Sequence, residues 1–265
     1  MKLEFRRFLS ILSLFSAALG ASGQSYYSET ISQPLGTVSF SYNRNDDGSF
    51  GPISFGFNLE FFGSTYNEFS INNNGNISFG IPVASYNPSP LNTQTLAPMI
   101  APYFADVDTR DSSGGFVYLN NSIPNQLIIT WDSVGYFDSH VDRLNSFQLV
   151  LRGPGYSVPS GEGQIGFFYK TMDWETGDDS GGSGGFGGVP ATAGFGDGLR
   201  GINPGEVSIA GSQQDGISTV LENNHYWFSL GSGGVPSGVP EPSTYGAIGV
   251  VGVLGVATWL RRRKV

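Results

Sequence analysis

The stretch YNEFSINNNGNISFG, residues 66–80, decides how this chain is read. Its halves, YNEFSI and NISFG, are short runs of aromatic, β-branched and small polar residues joined through NNNG (72–75). Asn and Gly tolerate the positive φ that tight β-turns require, so the spacing predicts a β-hairpin. Upstream, TVSFSY (37–42) and NLEFF (58–62) are further β-rich runs, punctuated as a turn by NDDG (45–48). Downstream, PVASYNPSPLNTQTLAP (82–98) carries four prolines and is expected to cross the surface as a loop. Strands are expected at 116–119, 126–131, 147–152 and 164–170, separated by turns at SGG, IPN and GPG, with a last strand in HYWFSL (225–230).

This spacing, with no helical period between the runs, predicts an all-β fold, an antiparallel β-sandwich or barrel-like body. Composition agrees. The 39 glycines, 15 prolines, 14% aromatic and 13% charged residues favour short strands and tight turns over surface helices. Residues 1–23 place Lys2, Arg6 and Arg7 before the apolar FLSILSLFSAALG and the small residues Ala21, Ser22 and Gly23, the order of a secretory signal peptide with an N-terminal signal helix. The chain has no cysteine, which excludes disulfides, thiol catalysis and thiolate metal sites. Between residues 24 and 240 there are six basic residues against twenty acidic ones. Such a surface repels phosphate backbones, so nucleic acid is not an expected partner.

The densest acidic motif is ADVDTRD, with Asp106, Asp108 and Asp111 close behind the apolar MIAPYF. Two readings stand side by side. Converging carboxylates would offer hard oxygen ligands to calcium, although the ordered ligands of an EF-hand loop are missing. Alternatively the Asp side chains cap turn amides and Arg110 balances their charge. A second patch, Asp173, Glu175, Asp178 and Asp179 beside Trp174, invites comparison with a glycosidase, but that chemistry needs two carboxyls on rigid elements, and half of this patch lies in a glycine-rich loop. That loop (174–198) contains a formal G-x-G-x-x-G at Gly182, Gly184 and Gly187 with no helix to follow, so a flexible loop is expected there and no dinucleotide site. His140 and His225 stand in no catalytic spacing, and no catalytic residue is assigned. The aromatic residues admit a sugar-stacking face, but in a β-rich chain they are first of all core fillers.

Two resemblances attach to these residues. Residues 96–230 resemble the nidogen-like (NIDO) extracellular domain through APMIAPYFADVDTR, QLIITWDSVGYF, NSFQLVLR, GQIGFFYKTMDWETG, ATAGFGDG and HYWFSL, and residues 24–95 are similar to the β-rich lead-in found before it. The resemblance implies a non-enzymatic module of cell-surface or matrix proteins associated with cell-matrix adhesion. Asp106 and Asp108 match that family's motif, whereas Asp111 is an addition of this sequence. After a flexible linker (231–238), residues 239–265 resemble the PEP-CTERM sorting signal of bacterial exported proteins: Pro240, Glu241 and Pro242, an apolar span, then Arg261, Arg262, Arg263 and Lys264. This implies a membrane-embedded exosortase as partner and an exopolysaccharide or biofilm matrix as surroundings. The span 245–260 is 16 residues, about 24 Å as a transmembrane helix against a hydrocarbon core of about 30 Å. Its basic end is expected to stay cytoplasmic, leaving the body outside the inner membrane until the tail is cut. The alternative is a carbohydrate-binding, lectin-like protein of that matrix, dependent on calcium at the acidic motif.

Overall fold

In the computed structural model, which describes Tyr27 and residues 44–91, 97–199, 203 and 206–237, the opening stretch is a hairpin. β2 (Ser64–Asn72) turns into β3 (Asn76–Ser78) with Asn72 opposite Asn76 and Ile71 opposite Ile77. Gly75 takes φ 74°, but the three asparagines before it do not adopt positive φ. They are buried for another purpose. Asn72 Nδ2 donates to Asn76 Oδ1 (2.7 Å) and Ser78 Oγ (3.0 Å), while its Oδ1 accepts from Val83 N (3.0 Å). Asn73 Nδ2 reaches Val107 O (2.5 Å), and Asn73 O accepts from Trp131 Nε1 (3.0 Å). Buried amides need such partners, and here the partners tie the turn to distant strands.

The hairpin belongs to the first of two sheets. β1 (Ser49–Phe61), β2, β3, β4 (Met99–Phe104), β10 (Thr192–Gly196) and β11 (Val207–Ser208) follow one another across it. The second runs β13 (Pro236–Ser237), β12 (His225–Leu230), β9 (Ile165–Met172), β8 (His140–Arg152) and β7 (Gln126–Tyr136). Along the free edge of β7 lie β6 (Phe116–Asn120), opposite residues 128–132, and β5 (Val107–Asp108), opposite 135–136. Every pairing is antiparallel. The sole α-helix among the described residues is α1 (Ile217–Leu221).

One core joins the sheets. Phe61, Phe69, Ile71 and Phe195 from the first meet Trp131, Phe147, Phe167 and Phe228 from the second. Phe167 stacks on Phe195 at 5.3 Å, Tyr103 packs on Phe147 at 5.4 Å, and Tyr169 Oη donates across the sheets to Pro102 O (2.7 Å). Burying such rings contributes roughly 1.5–3 kcal/mol each, the main substitute for absent disulfides. β3 pairs with β4, and the core draws on residues on both sides of position 95, so the lead-in and the NIDO segment share one sheet and one interior.

β4 is buried along its whole length, because a second cluster covers its outer side. Ala101 lies opposite Gly194 and Phe104 opposite Thr192, a bulge around Pro102 that sends Ile100 and Tyr103 inward and Met99, Ala101 and Phe104 outward. Val83 and Leu91 of the proline-rich loop pack on that outward face.

Two expectations are corrected. The glycine-rich loop stops short of ATAGFG: residues 192–196 are a fully buried strand, because β4 and β11 pair with its backbone on either side. The flexible linker is docked through residue 237: Gly63 N donates to Gly233 O (2.7 Å), and β13 pairs with β12. Among the described residues no helix is long and apolar enough to cross a membrane. The signal peptide (1–23), the span 245–260 and the sorting residues Pro240, Glu241, Pro242, Arg261, Arg262 and Arg263 lie outside the described residues.

Candidate functional site

The segment leaving β4 carries Asp106, and four other pieces of chain close around it. The NDDG turn is held beside it by Asn45, whose Oδ1 accepts from Gly48 N (2.6 Å), and by Thr109, whose N and Oγ1 both donate to Asn45 O (2.9 Å). The hairpin turn contributes Asn74: its Oδ1 accepts from Val107 N (2.9 Å) and its Nδ2 donates to Asp47 Oδ1 (2.8 Å). Phe137 N donates to Asp106 O (3.2 Å), and Phe137 O accepts from Asp178 N (3.2 Å). The fourth piece is Gly177, where a Cβ would lie 2.3 Å from Asp106 Oδ2.

These contacts bring Asp46, Asp47 and Asp106 together, with one carboxylate oxygen of each within 4.8 Å of the others. Asp106 is only 1% exposed and its Oδ2 has no hydrogen-bond partner; Asp46 Oδ1 is likewise buried and unpartnered. Burial pushes the Asp106 carboxyl up to about 8, reinforced by the charges of Asp46, Asp47, Asp179 and Asp108. Burial and Asp108 push Asp46 up to about 7, against the opposing pull of Arg110.

The other residues of ADVDTRD are placed differently. Asp108 is committed to Arg110, with Oδ2 to Nη2 at 2.5 Å and Nε at 2.9 Å, and to the backbone N of Ser139 (2.7 Å). Arg110 Nη2 also meets Asp46 Oδ2 and Asp138 Oδ1, both at 3.2 Å. Asp111 turns away to accept from Ser113 Oγ (2.5 Å) and N (2.7 Å), bonds that hold its carboxyl below the ordinary range. Its loop is wrapped round Arg44, whose guanidinium donates to the carbonyls of Thr109 (3.0 Å), Gly114 (2.9 Å) and Gly115 (3.2 Å) and lies 3.9 Å over the Phe116 ring.

The second acidic patch is dispersed by the fold. Glu175 is 3% exposed and accepts from Gly216 N (2.9 Å), Ser218 N (3.1 Å) and Ser218 Oγ (2.6 Å), serving the start of α1. Asp178 pairs with His140 Nε2 at 3.3 Å. Trp131 and Trp174 are fully buried, and among the described residues the one exposed Phe, Tyr or Trp is Phe186, at 38% beneath Arg143. Sequence reasoning passed over Asp46 and Asp47 as mere turn residues. Arg152 reads in the sequence only as the end of a strand: its side chain is fully buried, bonded to Gln126 Oε1 (3.1 Å), Gly163 O (2.9 Å), Tyr27 Oη (2.9 Å) and Glu162, and lies 4.2 Å from the Trp227 ring.

The fold and the acidic cluster define a disulfide-free, all-β module. The family model described as NIDO related matches residues 21–226, and the chain belongs to that family. It is 30% identical to alpha-tectorin of Mus musculus over 178 residues, 57% of this chain and 8% of that protein. With alpha-tectorin of Gallus gallus it shares 30% over 211 residues (68% and 9%), and with nidogen of Drosophila melanogaster 30% over 118 residues (35% and 9%). The chain thus spans less than a tenth of the length of these relatives. No solved structure matches it significantly.

Proposed function

We propose that the protein is an exported, non-enzymatic component of a cell surface or extracellular matrix that acts in cell-matrix adhesion. The observation that carries this reading is the extent of the family match: residues 21–226 take in nearly everything between the signal peptide and the C-terminal sorting segment. The surface is consistent with it. Two of the four carboxylates beside Trp174 that invited comparison with a glycosidase, Glu175 and Asp178, are engaged with α1 and His140. Export begins at residues 1–23. The 245–260 span then holds the precursor in the inner membrane with Arg261, Arg262 and Arg263 inside, and an exosortase cuts near Pro240, Glu241 and Pro242 to deliver the body to the matrix.

An epitope tag in the body, followed in strains with and without the exosortase, tests this order of events. The tagged protein is expected to lose the mass of its tail only where the enzyme is present, and an unchanged mass in both strains overturns the sorting step. Adhesion is checked separately by retention of cells on exopolysaccharide-coated surfaces; equal retention with and without the protein overturns it.

A further inference from the structure

Three acidic oxygens within 4.8 Å of one another repel, and the fold does little to quiet them. Asp106 is 99% removed from solvent, and neither its Oδ2 nor Asp46 Oδ1 receives a hydrogen bond. The nearest guanidinium, Arg110, is spent on Asp108, Asp138 and the other oxygen of Asp46. The backbone at Gly177 lies against the Asp106 carboxylate and keeps water from solvating it freely. A buried carboxylate oxygen without donor or counter-charge costs several kcal/mol unless a proton or a cation neutralises it, and a cation placed between the three would serve all of them at once.

We propose that Asp46, Asp47 and Asp106 form a calcium-binding site. The donors are all hard carboxylate oxygens, the set that suits calcium and magnesium, and no thiolate exists in the chain. Calcium accepts oxygen ligands in irregular geometry, whereas magnesium demands a near-ideal octahedron and keeps several of its own waters. Three carboxylates supplied by two separate pieces of chain, one oxygen of each within 4.8 Å of the others, therefore suit calcium. Asn74 supports the ligands from behind: it binds Asp47 Oδ1 with its amide nitrogen and the backbone just after Asp106 with its oxygen, so the hairpin turn sets the distance between them. Bound calcium would lock the NDDG turn, the hairpin turn and the start of β5 into one unit. The inference stands apart from the adhesion reading, and either can fail without the other.

The test uses the purified full-length chain, stripped with EGTA and titrated with CaCl2 in a calorimeter, with melting followed by circular dichroism. One calcium per chain is expected. At free calcium about a hundredfold above Kd the melting temperature is expected to rise by about 5–10 °C. D106N and D47N are each expected to weaken binding at least tenfold, while D111N, whose carboxylate is turned away, binds as the parent does. If D106N fails to fold, D47N carries the test, because Asp47 is only half-buried and an asparagine there can still accept from Asn74. No heat and no change in melting temperature with the parent chain overturns the site. Undiminished binding by D47N or D106N, or a loss with D111N equal to theirs, overturns its assignment to these residues. Equal affinity for MgCl2 overturns the choice of ion.

Discussion

Replacing Gly75 by alanine probes the contact on which both the hairpin and the acidic cluster depend. Gly75 has φ 74°, and a Cβ built there lies 1.8 Å from Tyr103 O and 2.8 Å from its carbonyl carbon. The backbone conformation alone costs an L-residue about 1–2 kcal/mol. Relieving the overlap requires the turn and β4 to part by more than 1 Å on any ordinary contact radius, at roughly the distance that ends a hydrogen bond. Tyr103 N to Gly75 O (3.1 Å) would be lost, and Ala105 N to Asn74 O (3.3 Å) and Trp131 Nε1 to Asn73 O (3.0 Å) weakened, at about 1 kcal/mol each. The sum is about 3–5 kcal/mol, a large part of the stability of about 5–15 kcal/mol usual for a domain. Gly80 is the internal control: φ is 81° and a Cβ there meets nothing within 4 Å, so G80A bears only the conformational cost of about 1 kcal/mol. Urea unfolding followed by the fluorescence of the buried Trp131 and Trp174 reads both variants. With a slope of about 3 kcal/mol per M, G75A is expected to lower the midpoint by about 1–1.7 M and G80A by about 0.3 M. Equal shifts would refute the reasoning, because the close approach to Tyr103 would then carry no energy.

Arg152 and His225 supply two further tests on the opposite sheet. R152M leaves Glu162, Gln126 and Gly163 O without their donor, and a loss of about 3–5 kcal/mol is expected by urea unfolding, partly recovered in R152M/E162Q; a loss under 1 kcal/mol in R152M would contradict the buried-charge account. His225 stacks on Phe168 at 5.2 Å, and burial holds its pKa below the ordinary 6.5, against the opposing pull of Glu162. A depressed imidazole adds stability that is present above pH 6.5 and is lost as pH falls through the folded value. Between pH 7.5 and 5 the parent's melting temperature is therefore expected to fall more than that of H225Q, and parallel profiles would argue against it.

How far the fold was legible depends on the range of the interaction that sets each element. The hairpin at 66–80 was readable because turn and strand preferences act over a few neighbours, and β7, β8, β9 and β12 follow from their apolar runs in the same way. ATAGFG was not, since glycine and alanine carry little strand preference; it is a strand because β4 on one side and β11 on the other supply its backbone partners. The GSGG stretch after β12 has the composition of a spacer and is docked only because Phe62 and Gly63 offer it backbone donors.

The candidate site divides along the same line. ADVDTRD could be recognised as acidic, but not which carboxylate would be left unpaired. Asp108 finds Arg110 two residues away and Asp111 finds Ser113, pairings that local sequence already permits. The partners of Asp106 are Asp46 and Asp47, sixty and fifty-nine positions earlier, brought there through Asn73, Asn74 and Thr109. By itself the sequence determined a cysteine-free, acidic β-protein, because composition, turn chemistry and alternation are properties of neighbouring residues. Only the tertiary structure decided which aspartates meet, because a charge buried without a partner becomes visible only when distant loops close over it.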